Sequence, residues 1–308
     1  MRIMILGAGA VGGYFGGRLV EAGADVSFLV REARQRQLIR DGLIIESPSG
    51  NLTLPVTTIA SGTSSEEVSV PPDVIVVACK AYGLAGALSA ISPYVGPNTL
   101  IIPLLNGVAH LDNITQRFPE AVRCGGVAQI GVTLTPDGVI KHLSAFHTLL
   151  FGLCDGSHNS QAEKFLAALA LTSVDARLRP DIMQDLWNKV VFLATLAGGT
   201  CVMRASIGTI LKTNFGERII LSLLQECSAI AAAEGFIPDA KQISGYRDLL
   251  TDTGSSMTAS MLRDLESGGP TEAEHIIGDM VSRATKFGIS TPTLDIAYTH
   301  LQAYELSR

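Results

Sequence analysis

The chain has 308 residues, enough for two domains that each bury a core of their own. A formal net charge of −6, with the basic residues scattered apart from a modest cluster at Arg31, Arg34, Arg36 and Arg40, speaks against a nucleic-acid partner. Five cysteines without a CxxC pair, and six histidines (His110, His142, His147, His158, His275, His300) without ligand spacing, speak against a disulfide framework or a bound metal.

The N-terminal stretch MRIMILGAGAVGG has no room for the apolar core and cleavage region of a signal peptide. Residues 190–203 are apolar, but the run is too short for a bilayer and is interrupted at Gly198 and Gly199. The expectation is a cytoplasmic protein with no membrane partner.

In chain order, residues 2–6 predict a short buried strand and residues 10–21 a helix. Residues 25–30 predict a second strand, and GLIIES and NLTLPV, joined through Pro48, Ser49 and Gly50, a hairpin insertion. DVIVVAC (73–79) and TLIIPLL (99–105) read as two more buried strands. Residues 121–151 read as antiparallel strands around a turn at Pro136-Asp137-Gly138. Beyond about residue 177 the strand pattern gives way to helical periodicity, with helices expected at 181–197, 215–234, 258–267, 271–287 and 292–306. The fold expected is an α/β dinucleotide-binding domain of the Rossmann type over residues 1–178, followed by an all-α domain over 179–308.

The strongest local motif is Gly7-Ala8-Gly9-Ala10-Val11-Gly12, a GxGxxG between a strand and a helix. Gly7 permits the tight turn, Gly9 lets backbone approach a pyrophosphate, Gly12 allows close helix packing, and the helix N-terminus stabilises the charge. An NAD site usually carries an acid at the end of the second strand; here that strand ends in Arg31, and Asp25 stands at its other end. An arginine suits a 2′-phosphate, so the cofactor expected is NADPH/NADP+; the competing readings are that Glu32 next door reaches a ribose hydroxyl and that Arg31 is a surface arginine after a strand. Lys80 and Asn106 follow the next two buried strands, at the edge where open α/β sheets bind ligands. Each also has an ordinary reading, as a solvated strand end and a turn pair with Gly107. Lys189 heads a run with no other charge before Arg204, and is either a solvated helix end or a cation held in a cleft.

Together GAGAVGGYFGGRL, CKAYGL, LLNGV, PDGVIKHL, WNK and SML…TE resemble the ketopantoate reductases (2-dehydropantoate 2-reductases), over residues 1–292. The resemblance implies a Rossmann domain joined to a helical domain similar to that of 6-phosphogluconate dehydrogenase, with the substrate between them. It implies that Lys189 is the proton donor to the keto oxygen and that Glu272 contacts the hydroxyl end of the substrate and assists. It further implies that Ser260 binds the substrate carboxylate, that Asn106 orients substrate and cofactor with Lys80 in support, and that Arg31 holds the NADPH phosphate. On ordinary chemistry, a protonated lysine both stabilises charge building on a reduced carbonyl oxygen and donates the proton.

Three positions depart from the family pattern: Leu193, Ala197 and Ile277 stand where its asparagines are expected. Losing buried amides costs discrimination for a polar substrate and suits a more apolar 2-oxo acid. Without the resemblance, Glu272 reads as a first-turn acid complementing a helix dipole and Ser260 as an ordinary helical serine. His275, three residues after Glu272, is the histidine to watch.

The activity expected is reduction of 2-dehydropantoate to (R)-pantoate with NADPH, on the route to pantothenate and coenzyme A. The alternatives are a D-2-hydroxyacid dehydrogenase similar to the D-mandelate type, and a nicotinamide-nucleotide sensor without catalysis. The partner is a small 2-oxo acid; the apolar faces at Ile219, Ile220, Leu223 and Leu224 fit either a core or a homodimer interface.

Overall fold

The computed structural model describes residues 1–62 and 70–308. The chain divides into two compact units, one of Met1–Leu105 with His110–Ile182, the other of Asn106–Ala109 with Met183–Arg308.

The first unit runs β1 (Arg2–Leu6), α1 (Ala10–Glu21), β2 (Asp25–Val30), α2 (Glu32–Asp41), β3 (Leu43–Glu46), β4 (Leu52–Leu54), β5 (Thr57–Ala60), β6 (Val74–Val77) and α3 (Leu84–Ile91). It continues with β7 (Leu100–Pro103), α4 (Ala109–Arg117), β8 (Val122–Leu134), β9 (Ile140–Leu153), α5 (Ser160–Leu169) and β10 (Asp175–Leu178). The sheet order is β4-β3-β9-β8-β7-β6-β1-β2-β5, with β10 beside β9. From β5 to β8 every neighbouring pair is parallel, which is the doubly wound Rossmann arrangement.

Both faces of the parallel strands are covered. Ile3 and Ile5 pack with Tyr14, Phe15 and Leu19 of α1, while Met4 and Leu6 join Leu84, Leu88 and Ile114 in a second cluster. This alternation along β1 is the two-residue period of a strand, and helices on both faces explain why β6 and β7 are buried at every position.

The expected hairpin over β3 and β4 forms, but it is no separate insertion: β3 pairs with β9 and extends the main sheet. Strand β5 has no signal in the sequence: TTIA shows no buried alternation, and among the described residues the strand pairs with β2. The first unit extends to Ile182. Arg179 continues β10 by donating its N–H to Phe151 at 2.7 Å, and Ile182 is fully buried.

The second unit is helical: α6 (Ile182–Met203), α7 (Ile207–Leu211), α8 (Gly216–Ala233), α9 (Ala240–Leu250), α10 (Ser260–Glu266), a π-helical turn (Glu274–Gly278), α11 (Asp279–Phe287) and α12 (Pro292–Ser307). Helix α6 passes through Gly198 and Gly199, where the sequence pattern predicts its end. A Cβ on Gly199 would collide with Ile220 of α8, so these glycines let two helices approach rather than stopping one. By length and composition α6 could cross a membrane, and the run is therefore longer than expected. Yet 67% of its most apolar window is buried inside the protein, as in a core helix. Its buried hydroxyls are satisfied locally, Thr195 by Val191 at 2.8 Å and Thr200 by Leu196 at 2.6 Å. Ile220, Leu223 and Leu224 are buried within the chain's own core.

Candidate active site

In the first unit the glycine motif turns the chain from β1 into α1. Gly7 has φ +98° and donates its N–H to Leu29 at 3.0 Å, which pins the turn to β2. A Cβ on Gly12 would collide with the Gly7 carbonyl and lie 2.8 Å from the Ala78 Cβ, so only glycine lets α1 sit this close. Gly9 is the opposite case. A Cβ there would meet nothing within 4 Å, leaving open the backbone of Ala8, Gly9, Ala10 and Val11 at the helix start. Helix α1 has no side-chain cap and no acid in its first turn, so its N–H groups and dipole face an incoming anion unopposed.

Arg31 is the N-cap residue of α2, at the end of β2, and is exposed. Its guanidinium comes within 3.9 Å of where a Gly83 Cβ would stand, so it borders the loop that opens with exposed Lys80. Glu32, the competing acid, is turned toward Arg36 at 3.4 Å on the exposed side of α2.

Arg34, one of the basic cluster along α2, carries no site signal of its own in the sequence. Its Nε donates to the Ala8 carbonyl at 3.0 Å, and its Nη1 to Gln37 at 2.7 Å and Gly138 at 3.1 Å. Its Nη2 is buried without a hydrogen-bond partner. The available signal was its position three residues after Arg31, on a neighbouring part of one helix face.

In the second unit Lys189 is not at a helix end. It lies about two turns into α6. Burial pulls its ammonium down from the ordinary lysine value to about 8, while the Glu272 carboxylate pushes it back up. Glu272 is 6% exposed and precedes the π-helical turn, a distortion frequent at functional sites. Glu272 also acts on His275, whose imidazole burial holds below its ordinary value. His275 in turn packs on the Asn106–Gly107 turn. Gly107 has φ +91°, and a Cβ there would be 2.9 Å from the His275 ring.

The second unit therefore brings Asn106-Gly107, Lys189, Glu272 and His275 into one neighbourhood. Ser260 is the exposed first residue of α10, whose N-cap residue Ala259 donates to Thr200 of α6 at 3.3 Å. Tyr246 donates to the carbonyl of Asn188, beside Lys189, at 2.7 Å. Of the departures, Leu193 is partly exposed one turn after Lys189, whereas Ala197 and Ile277 are buried at 3% and 0%. Among the described residues no group of three or more His, Cys, Asp or Glu side chains suits a metal ion.

The family model described as "Ketopantoate reductase PanE/ApbA" matches residues 3–156, and "Ketopantoate reductase PanE/ApbA C terminal" matches residues 181–305. An uncharacterized oxidoreductase of Bacillus subtilis (strain 168), YkpB, is 33% identical over 309 residues, covering 100% of both chains. The crystal structure of 2-dehydropantoate 2-reductase from Methylococcus capsulatus is similar at TM-score 0.89 and 26% identity, covering 100% of this chain and 97% of that one. D-mandelate dehydrogenase, in its ternary structure with NADH and anilino(oxo)acetate, shares the fold at TM-score 0.88 and 23% identity, covering 100% and 99%. With both of its units matched in order, the chain belongs to the ketopantoate reductase family, a family of oxidoreductases.

Proposed function

We propose that the protein reduces a 2-oxo acid with NADPH, and that the substrate is 2-dehydropantoate, giving (R)-pantoate. The observation that carries this reading is Lys189, an ammonium drawn into α6 and supported by the buried carboxylate of Glu272. Such a group is still protonated at pH 7, yet gives up its proton more readily than a solvated lysine.

The first unit fits a dinucleotide. The uncapped start of α1, the open side of Gly9 and the unpaired Nη2 of Arg34 all suit a phosphate-bearing ligand. Residues 7–12 would hold the pyrophosphate and Arg31 the 2′-phosphate, with Lys80 toward the reacting end; Asn106, in the second unit, would orient substrate and cofactor. When bound, the cofactor supplies the hydride to the carbonyl carbon of the substrate. Lys189 stabilises the charge developing on the carbonyl oxygen and transfers its proton there, leaving a 2-hydroxy acid and a neutral amine that is recharged from water. Ser260 would receive the substrate carboxylate, and Glu272 its hydroxyl end.

One observation favours a second substrate. Leu193, on the face of α6 that carries Lys189, offers apolar surface where the family pattern has an amide, which suits an apolar 2-oxo acid of the mandelate type. A panel of 2-oxo acids, assayed by NADPH oxidation, tests both readings. Turnover of ketopantoate supports the first; ketopantoate inert while phenylglyoxylate or a branched 2-oxo acid reacts selects the second. Tight NADPH binding with no turnover of any acid would leave a nucleotide sensor.

A further inference from the structure

Residues 269–271, which lead into Glu272, have no regular secondary structure, an arrangement that ordinarily leaves a neighbouring side chain loosely placed. Here the C-terminal helix α12 holds the segment at several points. The Glu305 carboxylate accepts the Thr271 N–H at 2.7 Å and the Thr271 hydroxyl at 2.6 Å, both on one oxygen. Tyr304 donates its hydroxyl to the Gly269 carbonyl at 2.7 Å, on the other side of Pro270. Tyr298 donates to the Glu274 carboxylate, and its ring lies 2.9 Å from where a Gly278 Cβ would stand.

Thr271 is 7% exposed, so its two hydrogens have little access to water and Glu305 is the acceptor that satisfies them. Hydrogen bonds to a carboxylate are the stronger kind, and two on one residue restrict its rotation as well as its position. From this we infer that Glu305 is a positioning residue: by taking both polar hydrogens of Thr271 it sets the Glu272 carboxylate in place against Lys189. The inference rests on the reading of Lys189 and Glu272 as the reacting site, and adds the C-terminal helix to what that site requires.

The role is geometric, so an amide should replace the carboxylate of Glu305 and a methyl group should not. If Glu272 is no longer held, Lys189 loses the charge that raises its pKa, and its titration moves to lower pH. The test compares the wild type with Glu305→Ala, Glu305→Gln and Glu305→Asp, each checked for folding by circular dichroism. The Lys189 amine is titrated by NMR without substrate, NADPH affinity is measured by fluorescence, and kcat and KM are measured on the best 2-oxo acid.

Expected for Glu305→Ala is a downward move of the Lys189 titration, unchanged NADPH affinity, and kcat/KM lower by about 10–100-fold, the scale for misplaced site groups. Glu305→Gln should match the wild type in all three. Glu305→Asp, which withdraws the carboxylate by one methylene, should behave like Glu305→Ala and decides the matter if that variant does not fold. An unchanged Lys189 titration in a folded Glu305→Ala or Glu305→Asp protein would overturn the inference. If the wild type reduces no 2-oxo acid, the proposed function fails, and the titration still decides whether Glu305 positions Glu272.

Discussion

The two units hold their candidate ligand groups in different materials. The first contributes backbone: the turn at Gly7, the open side of Gly9 and the uncapped start of α1 are made of main-chain groups within a few consecutive residues. The second contributes side chains, with Lys189 on α6, Glu272 before the π-helical turn, and His275 resting on the Asn106–Gly107 turn. A backbone cradle reads any ligand with the right phosphates, whereas separated side chains read the chemistry of one substrate. On the proposed reading, substrate preference can therefore change at Leu193 while the glycine turn keeps its form.

The sharpest way to break this comparison is Lys189→Ala. Turnover should fall by about 10²–10⁴-fold with NADPH affinity unchanged, because a general acid is lost and no cradle residue moves. An unchanged rate would remove Lys189 from the chemistry. The same residue predicts a pH profile. With the ammonium lowered to about 8, reduction should decline as pH rises through about 8, since the acid form disappears, and oxidation of the 2-hydroxy acid should rise over that range. Glu272→Gln removes the charge that raises Lys189, so the alkaline limb should shift to lower pH.

Next in size is Arg31→Ala, which should reduce the preference for NADPH over NADH by about 10–100-fold, the scale of one or two charge-assisted hydrogen bonds. Equal loss of both cofactors would assign Arg31 to the loop instead of the 2′-phosphate. The smallest effects come from a pair of glycines. Gly12→Ala forces a methyl group into the Gly7 carbonyl and should lower stability by about 1–3 kcal/mol, read as a fall in Tm. Gly9→Ala meets no protein atom and should leave Tm unchanged while weakening nucleotide affinity. A Tm loss at Gly9 would mean that its freedom serves folding.

What was legible in the sequence follows the same division. The helix over Ala10–Glu21 and the strand over Asp25–Val30 fall where the local pattern places them, because strand, glycine turn and helix agree with one another there. Helix α9 went unread: Gly245 interrupts it and few of its positions are buried, so periodicity is weak. The end of α6 was misplaced because Gly198 and Gly199 act through α8, a partner that local propensity does not see. In the site, family resemblance supplied Lys189 and Glu272. The support given by Arg34 to Ala8 and by Glu305 to Thr271 joins residues distant in the chain, through one or two hydrogen bonds that leave no periodic trace.

The segment Asn106–Ala109 belongs to the second unit although the chain on either side of it belongs to the first. Cutting the protein at Ile182 into two expressible halves would therefore put Asn106 on the wrong fragment, separated from the His275 ring that packs on its neighbour Gly107. The second unit cannot be transplanted as a single uninterrupted piece of gene, and recombination between relatives near position 182 would exchange all of its helices while leaving this one loop behind.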